Sequence, residues 1–297
     1  MQSDVPLMPL EKWLLGLVTL HPTAASILAF VSMCVLLGLL MRLESLHSMV
    51  PPQTYITPFV FLLFCSAFPL QKCMSGAHVA SLLFIISLFF FCRLYKDKED
   101  KKIKRNIFYA GMFISLATLF SAPSIFLMIL VPISLLLFRN YFSWKEHIIA
   151  FAGVATPLFY TFIAYYFLYD DGTQFFVLLY NSLFSLSALI FENARPIEWM
   201  YLGFLVFLMI QAIPMALKGL FTSKMKVKKI HTLLLWAFFV LLIISLFLPS
   251  GSMFLMPLLA IPSSILVGNY FIITKRRRWA GWQFFILLAL TFLTQYF

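Results

Sequence analysis

The sequence predicts an all-α, polytopic membrane protein with about ten transmembrane helices and two further helices lying in the membrane interface. Three observations predict it. Hydrophobic residues make up 62% of the chain and charged residues 11%, where a soluble domain carries about a quarter charged. No water-soluble core could hide that much apolar surface, so the expected solvent is lipid. The apolar residues come in runs close to the roughly 17 to 20 needed to cross about 30 Å of hydrocarbon. Finally, the 22 Lys and Arg that give a net charge of +11 fall in short clusters between those runs, as topology determinants do. A nucleic-acid partner is not expected, because that footprint needs one continuous basic surface.

Residues 6–20 are too short to cross and carry Glu11, Lys12 and Trp13 on an otherwise apolar stretch, the composition of an outer-face interfacial helix. The opening residues lack the basic stretch and small-residue cleavage site of a signal peptide. Expected spans follow at 22–41, 54–70, 77–92, 107–121, 124–138 and 148–169, and then at 199–217, 232–248, 253–273 and 279–297. As one helix, residues 107–138 would run about 48 Å at 1.5 Å per residue. A hairpin turning at Ser121-Ala122-Pro123-Ser124 is the better reading, since Pro suits the first turn of a new helix. The segment 175–191 carries Asn181, Ser182 and Ser185, which share one helical face. It is read as interfacial and non-spanning.

That choice makes the charges mutually consistent. The basic loops 93–105, 139–147, 218–231 and 275–278 all fall on one side, the cytoplasmic side. Arg42 to Gln53 joins them as a loop. Residues 1–20, the 170–198 segment and the C-terminus fall outside. The whole chain, 1–297, reads as a single integral membrane domain whose partners are membrane lipids, with other envelope proteins or a lipid-linked substrate as further partners.

Catalytic chemistry is sparse. No cofactor or metal site is expected: glycine-rich phosphate loops are absent, and Cys34, Cys65, Cys73 and Cys92 form no C-x-x-C. Ionisable residues sit at or beyond the expected span ends, which weakens a transporter reading. The candidate acids and bases are Asp170, Asp171, Asp4 and Glu11 on the outer face, where carboxylates above an amphipathic helix could serve a lipid-linked substrate. Glu192, Arg195 and Glu198 flank the same segment as binding candidates. Gln211, ahead of Pro214 in an apolar span, is either a substrate contact or an interhelical hydrogen bond beside a kink.

The stretches "HPTAASILAFVSMCVLLGLLMRLESLHSMVPPQTYITPFVFLLFCSAFP" and "NIFYAGMFISLATLFSAPSIFLMILVPISLLLFRNYFSWKEHIIAFAGVATPLFYTFIAYYFLYD" resemble a family of multi-pass inner-membrane proteins from the Bacteroidota that has no established activity. The "FSWKE" element is the most specific part. The chain departs from that family at Tyr109-Ala110-Gly111, where an Asp-Gly is expected. The family also usually begins with one further span, which would place residues 1–20 on the outer face. The layout is similar, too, to the membrane half of C-type glycosyltransferases. That likeness implies polyprenyl-phosphate-linked donors and an acidic residue in the first outer loop, where Asp4 and Glu11 stand. Three functions are therefore carried: a non-catalytic scaffold or subunit of an envelope process, a C-type-like glycosyl or lipid transferase, and a transporter.

Overall fold

A computed structural model describes residues 8–19, 22–47, 55–67, 74–95, 99–139, 144–169, 172–184, 195–222, 225–247 and 255–296. Among these the chain is all-helical, with twelve α-helices and no strand. They are α1 (Pro9–Thr19), α2 (Pro22–His47), α3 (Ile56–Ser66), α4 (Gly76–Arg93), α5 (Asp100–Phe120), α6 (Leu130–Arg139), α7 (Trp144–Tyr169), α8 (Thr173–Phe184), α9 (Pro196–Thr222), α10 (Met225–Phe247), α11 (Met256–Ile273) and α12 (Arg277–Tyr296). A 3₁₀ segment, Ala122–Ile129, leads directly into α6.

Seven helices are long and apolar enough to cross a membrane: Thr23–His47, Gly76–Arg93, Ala122–Arg139, Trp144–Leu168, Pro196–Leu217, Met225–Ser245 and Met256–Ile273. Three of the ten expected spans fall short of that standard among the described residues. Helix α3 has 11 residues, about 16 Å of rise. Helices α5 and α12 are long enough, but α5 opens on Asp100-Lys101-Lys102 and α12 on Arg277-Arg278. The hairpin between 107–121 and 124–138 is present: Ser121 is extended and Pro123 stands in the first turn that follows.

The basic stretches differ from the expected loops. Helix α2 continues to His47, α5 begins at Asp100, α7 begins at Trp144, and residues 218–222 and 225–231 belong to α9 and α10. Much of the cationic sequence therefore rides on helix ends. Lys and Arg allow this because their long stems can lie along apolar surface while the charge reaches water.

Contacts sort the helix ends into two groups. At one end Arg139 pairs with Glu146 at 3.3 Å and approaches Asp100 at 3.8 Å. Lys229 lies 5.8 Å from the Tyr95 ring centre, and His47 is within electrostatic reach of Lys226 and Arg93. Thr57 stands beside both Glu44 and Gly268, and Lys275 to Arg278 follow Gly268 by about two helical turns. At the other end Glu11 meets Gly76 beside the Phe120 carbonyl. There, too, the Tyr201 hydroxyl donates to the Leu63 carbonyl at 2.9 Å, and the Gln295 amide donates to the Ser66 carbonyl.

Helix α8 begins at this second end. Phe175 and Leu183, eight residues apart, enter the same buried cluster with Met8, Leu119 and Ala122, and the Phe175 and Phe176 rings pack on Tyr165 and Phe162 of α7. The 12 residues of α8 would rise only about 18 Å. Helix α9 then starts from the end at which α7 finished. Residues 185–194 lie outside the described residues.

The interior depends on small residues where backbones approach closely, the usual means by which helices associate in lipid. A Cβ on Gly111 would stand 2.8 Å from the Ala150 carbonyl, and one on Gly153 would strike the Phe108 carbonyl. These contacts bring α5 and α7 together. Helix α4 packs antiparallel to α5, with the Ser87 hydroxyl donating to the Ala110 carbonyl at 3.0 Å.

Candidate functional site

The candidate acids that the structure describes are built by a shared local sequence. Helix α1 opens on Met8-Pro9-Leu10-Glu11 and α9 on Arg195-Pro196-Ile197-Glu198. In each the proline takes the first helical position, where a missing N–H loses nothing. In each the glutamate stands at the third helical position, from which its carboxylate can reach back to the N–H of the residue before the proline. The Met8 N–H donates to the Glu11 carboxylate, and the Arg195 N–H donates to Glu198 Oε2 at 3.3 Å.

Glu11 goes further than its counterpart. Its carboxylate also accepts from the Gly76 N–H, the first helical residue of α4, where the helix dipole favours negative charge. The approach is possible because residue 76 has no side chain. A Cβ there would lie 2.8 Å from Glu11 Oε1 and would collide with the Phe120 carbonyl. Burial pushes the Glu11 carboxyl up from 4.5 to about 7, and the Gly76 and Met8 donors oppose the rise. Beside it, Ser75 caps α4 and His78 is fully buried. His78 Nδ1 accepts from the Ser75 N–H at 3.3 Å and stands 2.9 Å from its hydroxyl.

Gln211 lies in a polar knot joining three helices. Its Oε1 stands 2.5 Å from the Tyr270 hydroxyl of α11 and accepts from the Gln283 amide of α12 at 2.8 Å. Tyr270 has one hydroxyl proton for two nearby carbonyl oxygens, the second being Gln283 Oε1 at 2.9 Å. The shorter contact takes it. Gln211 is therefore an interhelical hydrogen-bonding residue in this fold.

Glu11 and Glu198 are anchored to different helices: Glu11 to α4, and Glu198 to the start of α9 near α3, through Tyr201. Asp4, Asp170, Asp171 and Glu192 lie outside the described residues. No group of three or more His, Cys, Asp or Glu that could hold a metal ion occurs among the described residues.

Sequence reasoning missed a second set of polar residues. Glu44 and His47, read as part of a cytoplasmic loop, belong to the last turns of α2 and are 6% and 8% exposed. Glu44 faces Thr57 of α3, itself fully buried. The signal was present: Leu36, Leu40, Leu43 and His47 recur at helical spacing, so the buried stripe of α2 runs on past Arg42. Tyr270 and Gln283, which complete the knot around Gln211, carried no such signal.

No protein-family profile matches this chain, and neither a curated protein nor a solved structure does.

Proposed function

We propose that this chain is a non-catalytic scaffold or subunit of an envelope process, held in a bacterial inner membrane with its basic end toward the cytoplasm. The observation that supports this is the engagement of the two described candidate carboxylates. Glu11 and Glu198 both accept from the backbone N–H that precedes their own helix, and Glu11 also clasps α1 to α4. Gln211 is taken up in the same way, by Tyr270 and Gln283. Such groups hold helices; they do not stand ready for a substrate.

A second reading, a C-type-like transferase acting on a polyprenyl-phosphate-linked donor, is favoured by one feature: the Glu11 carboxyl is raised to about 7, the range suited to general acid or base work. Glutamine separates the two, since it serves the third position of a helix start as glutamate does but cannot exchange a proton. In source cells in which the variant replaces the native chain, Glu11→Gln should leave the envelope glycan profile as in wild type. Loss of a glycan in that variant, with the protein still inserted and abundant, would overturn the scaffold reading in favour of the transferase.

A further inference from the structure

Helix α9 has two unlike faces. Leu208, Ala212 and Ala216 are buried in the main core, while Phe207, Ile210, Pro214 and Leu217 are exposed on the opposite side. Those four recur at the alternating three- and four-residue spacing of a helix–helix seam. The face also carries two polar groups that lipid cannot satisfy. Pro214 has no N–H, so the Ile210 carbonyl one turn earlier is left without its helical donor, on the side that Pro214 itself occupies. At the edge of this face Gln211 is half-buried. Its Oε1 accepts from Tyr270 and Gln283, and its Nε2 donates to no group among the described residues.

Gln211 precedes Leu217, the end of the apolar span, by roughly 9 Å of helical rise. An open amide donor and an open carbonyl at that depth are costly in hydrocarbon, which offers neither of them a partner. They belong to adjacent residues and so share one depth. A two-fold axis along the membrane normal would therefore carry the donor of each copy to the acceptor of the other, the reciprocal pairing of an isologous contact. Glutamine side chains draw membrane helices together through such bonds. We propose that a second copy of this chain docks on the exposed face of α9, α9 against α9, with Gln211 Nε2 of each protomer donating to the carbonyl of the partner's Ile210. The dimer goes beyond the scaffold reading and does not depend on it.

The test is Förster transfer between donor- and acceptor-labelled full chains in phosphatidylcholine vesicles, followed over a range of protein-to-lipid ratios. Wild type should associate. Pro214→Ala returns an N–H to the Ile210 carbonyl within its own helix and removes the acceptor without removing any contact of the fold. It should weaken association about tenfold, the effect of losing two interhelical hydrogen bonds together. Pro157→Ala, at the buried proline of α7, should leave association unchanged. Circular dichroism matching wild type establishes that each variant is folded before transfer is read. Transfer in wild type no greater than random mixing at every ratio would overturn the dimer and leave the face to lipid or to another protein. Undiminished association of Pro214→Ala would remove the Ile210 carbonyl from the contact and overturn the pairing. Equal weakening by Pro157→Ala would reduce the effect to a general loosening of the helices and overturn it as well.

Discussion

The starts of α1 and α9 are two solutions from one four-residue sequence. Both place proline first and glutamate third, and both return the carboxylate to the preceding N–H. At α9 that return is a hydrogen bond from the Arg195 N–H to Glu198 Oε2. At α1 the same carboxylate takes a second donor from another helix, because Gly76 lets the backbones of α4 and α5 close around it. A helix cap thus becomes an interhelical clasp through a missing side chain some 65 residues away. Whether such an acid is catalytic or structural depends on what abuts it, and not on its sequence context.

Filling that gap should break the comparison most severely. Gly76→Ala places a methyl group against the Phe120 carbonyl and 2.8 Å from Glu11 Oε1. One of those neighbours is backbone that cannot swing aside, so the destabilisation should be about 3 kcal/mol, read as a lowered thermal midpoint in detergent. Gly203→Ala, with nothing within 4 Å of the new methyl, is the matched control and should be close to neutral. Equal effects at the two positions would show that the clasp is not tightly closed.

Removing the carboxylates sharpens the comparison. Glu11→Ala leaves donors from two helices unsatisfied and should cost about 2 kcal/mol. Glu198→Ala removes one cap and should cost about 1 kcal/mol. In both cases glutamine should recover most of the loss. The ordering is the content of the prediction: if Glu198→Ala proves the more damaging, the link from Glu11 to Gly76 contributes little, and α1 is held mainly by Met8 in its apolar cluster.

How far the sequence carried the fold follows from these residues. The helical class and the hairpin at Ser121 to Ser124 were legible because they depend on local quantities, namely apolar run length and the proline at position 123. The reading of 175–191 as non-spanning came from charge consistency alone; α8 covers part of it with 12 residues, and residues 185–191 lie outside the described residues. Span ends were read too early wherever a charge appeared, as at Arg42, because long cationic side chains let a helix outrun its apolar segment. An interhelical hydrogen bond at Gln211 was legible, but the partners of Glu11 and Gln211 were not, since Gly76, Tyr270 and Gln283 are distant in sequence and set beside them only by packing. The proline-glutamate repeat at Pro9 and Pro196 was in plain view, and it identifies both acids as capping residues without any tertiary information.

Proton binding separates the clasp from the cap. Burial holds the Glu11 carboxyl at about 7, above its ordinary 4.5, so the folded chain binds that proton more tightly than the unfolded chain does. Stability then falls with rising pH wherever the folded state holds more protons. The contribution from Glu11 is fully present below 4.5 and is lost as pH rises through about 7. Over that window the docking of α1 on α4 should loosen, visible as faster amide hydrogen exchange in α1 after correction for the intrinsic pH dependence. Glu11→Gln should abolish the slope while leaving exchange in α9 untouched. A slope that survives the substitution would belong to another group, and a wild-type slope that is absent or of opposite sign would mean that the carboxylate remains charged in its clasp and that the Gly76 and Met8 donors outweigh the loss of water.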